Sequence, residues 1–371
     1  MNASGRDWRL VAAGVVAVLL ALVVVGRLQS RNLGTGDAGP SPPTRSTVSR
    51  DDRPVASGLA VAGRVALPGP AAAVAVGAGA AWVLLEQGTL LRVNPDRYQV
   101  TGRVELGAPG QGMAVGPLTV GAGAVWVGTG DGRVTARVDP VDLRVTARFG
   151  GLAVVVAHGV LWSYCCLRRD KPMGFGRLDA RTLRPRPPLW VTDASGRRQP
   201  VGPLAVGTDA VWTTQAPTDQ RLWRVPLAGG PARAVARVAG FPYGLEVGSG
   251  AVWLLTGTDV PGSLHDRTGR LRRLDQRTGE VTATTPLADL DVGGVNGGVR
   301  LVVGGGAVWL AGPYAHGLDL GGILLRVDSA SGRVTGWFRD SRSFFHGVVA
   351  ADPRGAWVAT AVPELLRLTA A

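Results

Sequence analysis

Lysine is almost missing from this chain of 371 residues: Lys171 is the only one, and every other basic residue is arginine. Cysteine is equally sparse, with Cys165 and Cys166 side by side. Adjacent cysteines cannot tie distant segments together, and a bridge between them would be strained. Their spacing also lacks the Cys-x-x-Cys form of a zinc site. Histidine occurs at His158, His265, His316 and His346 only, with no two at metal-ligand spacing. No Walker loop, HExxH or GxSxG stands anywhere in the chain. A catalytic claim for any histidine would therefore lack its second participant. No catalytic residue, metal ligand or cofactor is assigned. Long basic blocks are missing too, since no run of arginines exceeds two. The net charge of +13 admits two readings. One is attraction to an anionic partner. The other is coding bias towards Arg, Ala, Gly and Val together. The scatter favours the second, and nucleic acid is not an expected partner.

What is abundant is glycine, and with it one motif in seven copies. GAGAAWV, GAGAVWV, GTDAVWT, GSGAVWL and GGGAVWL place Trp82, Trp126, Trp212, Trp253 and Trp309; AHGVLWS and DPRGAWV add Trp162 and Trp357. The spacing averages about 46 residues, within the range of propeller blades. Four strand signals separated by turn residues make up a unit. In the first copy they are AAAVAVG, AAWVLL, TLLRVNP and QVTGRVEL. Polarity rises along that series, as in a blade whose inner strands are buried and whose outer strand is wet. The expected fold is all-β: a seven-bladed propeller of four-stranded blades. The tryptophans are expected in the core between blades.

The third strand ends in RVNP, RVDP, RLDA, RLDQ and RVDS, at Asn94, Asp139, Asp179, Asp275 and Asp328. An Asn or Asp there accepts a hydrogen bond from the backbone two residues on and starts the turn. Recurrence in five blades argues against a metal ligand. The last unit stops at LLRLTAA, without a fourth strand, while VAGRVAL (Val61–Leu67) resembles the fourth strand VTGRVEL. The early strand is expected to complete blade seven and pair the open edge.

Leu10–Gly26 is an uncharged apolar run at the lower length limit for a membrane-spanning helix. A signal peptide is the alternative, but no small-x-small cleavage site follows. The expected organisation is a short cytoplasmic tail (1–9), a transmembrane signal anchor (10–26), a disordered linker (27–57) and the propeller (58–371). The linker is rich in Pro, Ser, Thr and Gly and cannot bury a core. A long following domain translocates whatever the flanking charges. The propeller is therefore expected outside the cytoplasm, on a single-pass protein of the cell membrane.

PYGLEVGSGAVWLL and FHGVVADPRGAWVAT, with RVDPVDLRV and RLDQRTGEV, resemble the bacterial propeller superfamily of YVTN-type repeats, NHL-type repeats and virginiamycin B lyase. The resemblance covers the chain from about Gly58 to its end and implies fold rather than activity. His346-Gly347 matches the lyase-type His-Gly element once, and Tyr243-Gly244 occupies the same place in blade five. The glutamate that the lyase repeat carries three residues after Trp is replaced by Leu85, Thr129, Cys165, Gln215, Thr256, Gly312 and Thr360. The lyase's acidic groups do not transfer. Asp328–Trp337 resembles a quinoprotein tryptophan-docking repeat once, too little for a quinone site.

Propeller ligands usually sit over the central channel, on the face built by the loops from strand four to the next strand one and from strand two to strand three. Those stretches vary most along this chain, and variation on one face of a repeat array is where binding tends to lie. The first loop set is Gly107–Gly112, Trp190–Gly202, Gly240–Tyr243, Asp289–Gly298 and Asp340–His346. The second set includes Tyr164–Phe175, Thr256–Gly269 and Gly312–Gly321. Candidate ligand-binding residues are Gln111, Tyr243, Asn296, His316, Phe345 and His346, with Gln215 and Asp319 behind them. The expected function is non-catalytic binding of a protein, peptide or cell-envelope glycan. The alternatives are a lyase- or hydrolase-like enzyme with a metal over the channel, and an envelope scaffold reading anionic surfaces through Arg.

Overall fold

A computed structural model describes residues 55–106, 118–129, 134–151, 155–168, 171–214, 221–237, 240–257, 269–287, 299–316, 319–340 and 348–371. The expected anchor and tail lie outside them, as does nearly all of the linker. The described part belongs to one compact unit, Asp52–Ala371. Every regular element in it is a strand, and none of it is a helix long and apolar enough to cross a membrane.

Two strands come first, β1 (Val55–Ser57) and β2 (Leu59–Ala66), and both join sheets formed much later. Blade one is β3 (Ala71–Gly77), β4 (Ala80–Leu85), β5 (Thr89–Asn94) and β6 (Gln99–Glu105). Blade two is β7 (Leu118–Gly121), β8 (Ala124–Thr129), β9 (Val134–Val138) and β10 (Val145–Gly150). Blade three is β11 (Val155–Ala157), β12 (Val160–Arg168), β13 (Lys171–Asp179) and β14 (Pro185–Trp190). Blade four is β15 (Leu204–Val206), β16 (Ala210–Thr214), β17 (Arg221–Pro226) and β18 (Arg233–Arg237). Blade five is β19 (Phe241–Gly248), β20 (Ala251–Gly257), β21 (Arg270–Asp275) and β22 (Val281–Pro286). Blade six is β23 (Arg300–Gly304), β24 (Ala307–His316), β25 (Asp319–Asp328) and β26 (Val334–Asp340), with β1 added beside β26. Blade seven is β27 (Val349–Asp352), β28 (Gly355–Ala359) and β29 (Glu364–Ala370), with β2 beside β29. First strands touch around a full circle, from β3 through β7, β11, β15, β19, β23 and β27 back to β3. The result is a seven-bladed β-propeller.

Polarity sorts the strands as their sequences require. β4 is buried along nearly its whole length, while β6 alternates and is mostly exposed. All seven repeat tryptophans lie between the blades at 1% exposure or less. Each removes roughly 150–250 Å² from water, about 4–6 kcal/mol of transfer free energy before ordering entropy is subtracted. In blades one, two, five and six the indole N–H donates to the carbonyl five residues earlier, at Gly77, Gly121, Gly248 and Gly304. In blade seven Asp352 takes that place, and its carboxylate accepts from Trp357.

One regularity escaped the sequence reading. Every repeat tryptophan stands directly across the ladder from an arginine of the third strand: Arg92, Arg137, Arg177, Arg224, Arg273, Arg326 and Arg367. Arg137 and Arg367 lie over their indoles at 5.5 and 4.9 Å. Arg92 and Arg273 also reach the next blade, donating to the carbonyls of Pro140 and Ser329. Part of the arginine excess is thus built into the blade.

The innermost ring has its own device. Gly248 on β19 receives Val303 of the next blade; a Cβ built there would lie 2.7 Å from Val303 Cγ1. Gly77 faces Val120 and Gly121 faces Val156 in the same way, so the Val-Gly pair of the motif is a packing joint.

Candidate functional site

Strand direction alternates within each blade, so the connections fall on two faces. One face holds the turns from strand one to two and from strand three to four. The first of these is a two-residue turn with both residues at positive φ, as at Ala78-Gly79 (50° and 74°) and Ser249-Gly250 (50° and 72°). That geometry suits the twist of a hairpin. The second is the Asx turn read from the sequence. Asn94 accepts from the amides of Asp96 and Arg97, Asp139 from Val141 and Asp142, and Asp275 from Arg277 and Thr278. These amide hydrogen bonds hold Asp139 and Asp275 below the usual carboxylate range. Asp179 is lowered too, first by Arg186 and then by Thr182. We call this the turn face.

The opposite, loop face carries what does not repeat. Two stretches read as loops are hairpins instead. In blade three β12 and β13 run nine residues each, so Tyr164–Arg168 and Lys171–Phe175 are ladder. In blade six β24 and β25 run ten each and pair as far as His316 with Asp319. Glycine and proline in GPYAHGLDLGG suggested a loop, yet Gly312–His316 pairs in register with Asp319–Ile323. Gly240–Tyr243 is a third such case, since β19 begins at Phe241. The connection after Trp190 folds back on itself, with Thr192 bridged to Arg198 and the Arg198 guanidinium 3.6 Å from the Trp190 ring centre.

Of the six candidate residues, Tyr243 and His316 lie at the loop-face ends of their strands. Gln111, Asn296, Phe345 and His346 lie between a fourth strand and the next first strand, outside the described residues. Gln215 is also outside them. His316 ends β24. Tyr243 is half-buried near the start of β19, where the ladder shifts between Pro242 and Gly244. Its ring sits 5.0 Å from that of Phe241. Among the described residues no group of three or more His, Cys, Asp or Glu is placed to hold a metal ion.

The most unusual group was not on the candidate roster. Glu246 lies on β19, directly across from Trp253. The same seat in the other blades holds Ala75, Thr119, Val155, Ala205, Val302 and Ala350. Six small or apolar residues and one carboxylic acid share this ring of positions. On the same strand Gly244 packs on Leu301 and Gly248 on Val303, which aims Glu246 towards β23. β19 is the innermost strand of its sheet, so its unpaired edge borders the channel. Burial pushes the Glu246 pKa up to about 7, with no charged neighbour contributing. Its exposure is intermediate. The signal was present in the sequence: aligning PYGLEVGSGAVW with the other copies puts Glu where they carry Ala, Val or Thr.

No protein-family model matches the chain, and no curated protein is significantly similar to it.

Proposed function

We propose that this protein is a non-catalytic binding module, held at the outer side of a bacterial cell membrane by Leu10–Gly26 and taking a protein, peptide or envelope ligand over its loop face. The observation that carries the reading is the division between the two faces. Repeated turn chemistry occupies one face, while the long hairpins, with Tyr243 and His316, belong to the other. A divergent member of the YVTN, NHL and virginiamycin B lyase group is the family reading that accords with the Val-Gly and Trp motif.

The test is cross-linking of the full-length chain in native membranes, followed by recovery of the partner. Tyr243→Ala with His346→Ala is expected to cut recovery at least tenfold. Asp142→Ala with Arg181→Ala, on the turn face, is expected to leave it unchanged. Equal effects from the two pairs would reject the assignment of the binding face.

The same proposal takes β2 as the clasp of the ring. β2 pairs with β29 from Leu59–Ala370 to Ala66–Glu364. Gly63 on β2 lies against the ring of Tyr98 from blade one, as Gly102 on β6 lies against Leu143 from blade two. Arg64 and Glu364 form an ion pair at 3.0 Å, exposed enough to add less than about 1 kcal/mol. Deleting residues 58–68 should abolish cooperative melting near the full-length temperature; an unchanged melt would remove the clasp.

One observation favours the enzymatic alternative. An acid with a pKa near neutrality suits general acid–base work, but it needs a second group within reach. Ligand recovered chemically intact after long incubation would dismiss that alternative.

A further inference from the structure

We propose that the inner strand β19 is a receptor for an organic ammonium group, with Phe241 and Tyr243 at its loop-face end meeting the apolar body and Glu246, farther along the strand, pairing with the charge inside. This deepens the reading of the loop face as the binding face and rests on it.

Three observations converge. The first is isolation. Of the seven seats across from the repeat tryptophans, only that of Glu246 is ionisable. The second is the surroundings. Trp253 faces it from β20, and Leu301 and Val303 border it from β23. β15 and β16 on the other side of the strand offer Leu204, Ala205, Val206 and Trp212, none of them titratable. The only charged residue of β23 is Arg300, exposed at the strand's start, and the only other titratable residue of β19 is Tyr243. A carboxylate in such a wall is poorly solvated, and an incoming cation relieves that cost directly. The third is the mouth. Phe241 and Tyr243 form a tilted pair on the same strand. Tyr243 precedes Glu246 by three residues, about 10 Å along an extended strand. Aromatic faces attract ammonium groups, and apolar stems fit the wall of Leu301 and Val303. The chemistry that fits is a primary or quaternary ammonium on an apolar stem, whether a free amine or a lysine side chain of a peptide.

The test is calorimetric titration of the full-length protein in detergent with 2-phenylethylammonium chloride at pH 8, and with 2-phenylethanol as the uncharged analogue. A parallel arm uses the peptide N-acetyl-Gly-Lys-Gly-amide to distinguish the two sources. The ammonium should bind at least tenfold more tightly than the alcohol. Glu246→Gln should remove that preference, while Glu246→Asp keeps part of it and guards against a folding defect in the Gln variant. Binding should weaken from pH 8 to pH 5 as the carboxyl takes up a proton. Equal affinity for ammonium and alcohol would overturn the proposal. So would an unchanged preference in a Glu246→Gln protein that melts like the parent. If the ammonium fails while Tyr243→Ala with His346→Ala still abolishes cross-linking, this inference falls and the binding-face reading stands.

Discussion

The turn face and the loop face of this ring grow from the same strands, yet they use sequence in opposite ways. On the turn face most blades draw on one small set of interactions made again and again. These are a two-residue turn at positive φ, an indole N–H on a glycine carbonyl, an arginine across from the indole and an Asx turn. On the loop face the blades diverge: blade three and blade six extend their hairpins, and blade five sets Phe241 beside Tyr243. The repeated half carries the packing that every blade needs. The divergent half is where one blade can differ from its neighbours without opening the ring.

That contrast can be broken by mutation. The largest effect is expected from Trp253→Ala. It removes a fully buried indole and its hydrogen bond to Gly248, and should cost about 3–5 kcal/mol in denaturant unfolding. A loss below about 1 kcal/mol would mean that the repeated half is not what holds the blades together. Gly248→Ala comes next, at about 1–3 kcal/mol, because the added methyl meets Val303 in a packed ring. A neutral result would show that the inner joint yields easily. The smallest at low pH, where the acid is already neutral, is Glu246→Gln, and its effect depends on pH. The folded-state pKa of Glu246 is raised to about 7 from a reference of 4.5, so the folded protein holds the proton more tightly. Its contribution is therefore fully present below about pH 4.5 and is lost as pH rises through about 7. Glu246→Gln should flatten the stability profile in that window. The lowered carboxylates of the turn face act in the opposite direction, stabilising above their ordinary range and losing that contribution only as pH falls below it. A Glu246→Gln profile that still declines between pH 4.5 and pH 7 would assign the effect elsewhere.

Much of the architecture was legible because repetition multiplies a weak signal. One Gly-x-Gly-x-x-Trp is ambiguous; seven tryptophan units at blade spacing, four of them spelled that way, are not. The Asx turns were legible for a local reason, since Asn94 and its counterparts bond to amides two and three residues on. The long hairpins were misread because Gly and Pro in GPYAHGLDLGG signal turns locally, while the partner strand that overrides them is known only from pairing. The arginine across from each tryptophan was missed because charge was counted over the whole chain rather than by position in the repeat. Among the candidate site residues, Tyr243 is placed beside Phe241 on an inner strand. Glu246 escaped notice because an isolated acid in a sequence reads as a surface residue.

By itself the amino-acid sequence determined the number of units, the order of strands within each and the chemistry of their tight turns. All of these rest on contacts between residues close in the chain or on patterns copied seven times. Only the tertiary structure decided that Glu246 faces an apolar wall from the next blade, that β1 lies beside β26, and that each repeat tryptophan has its arginine. Those outcomes depend on which distant segments meet, and burial of a single charge becomes costly only once its neighbours have closed around it.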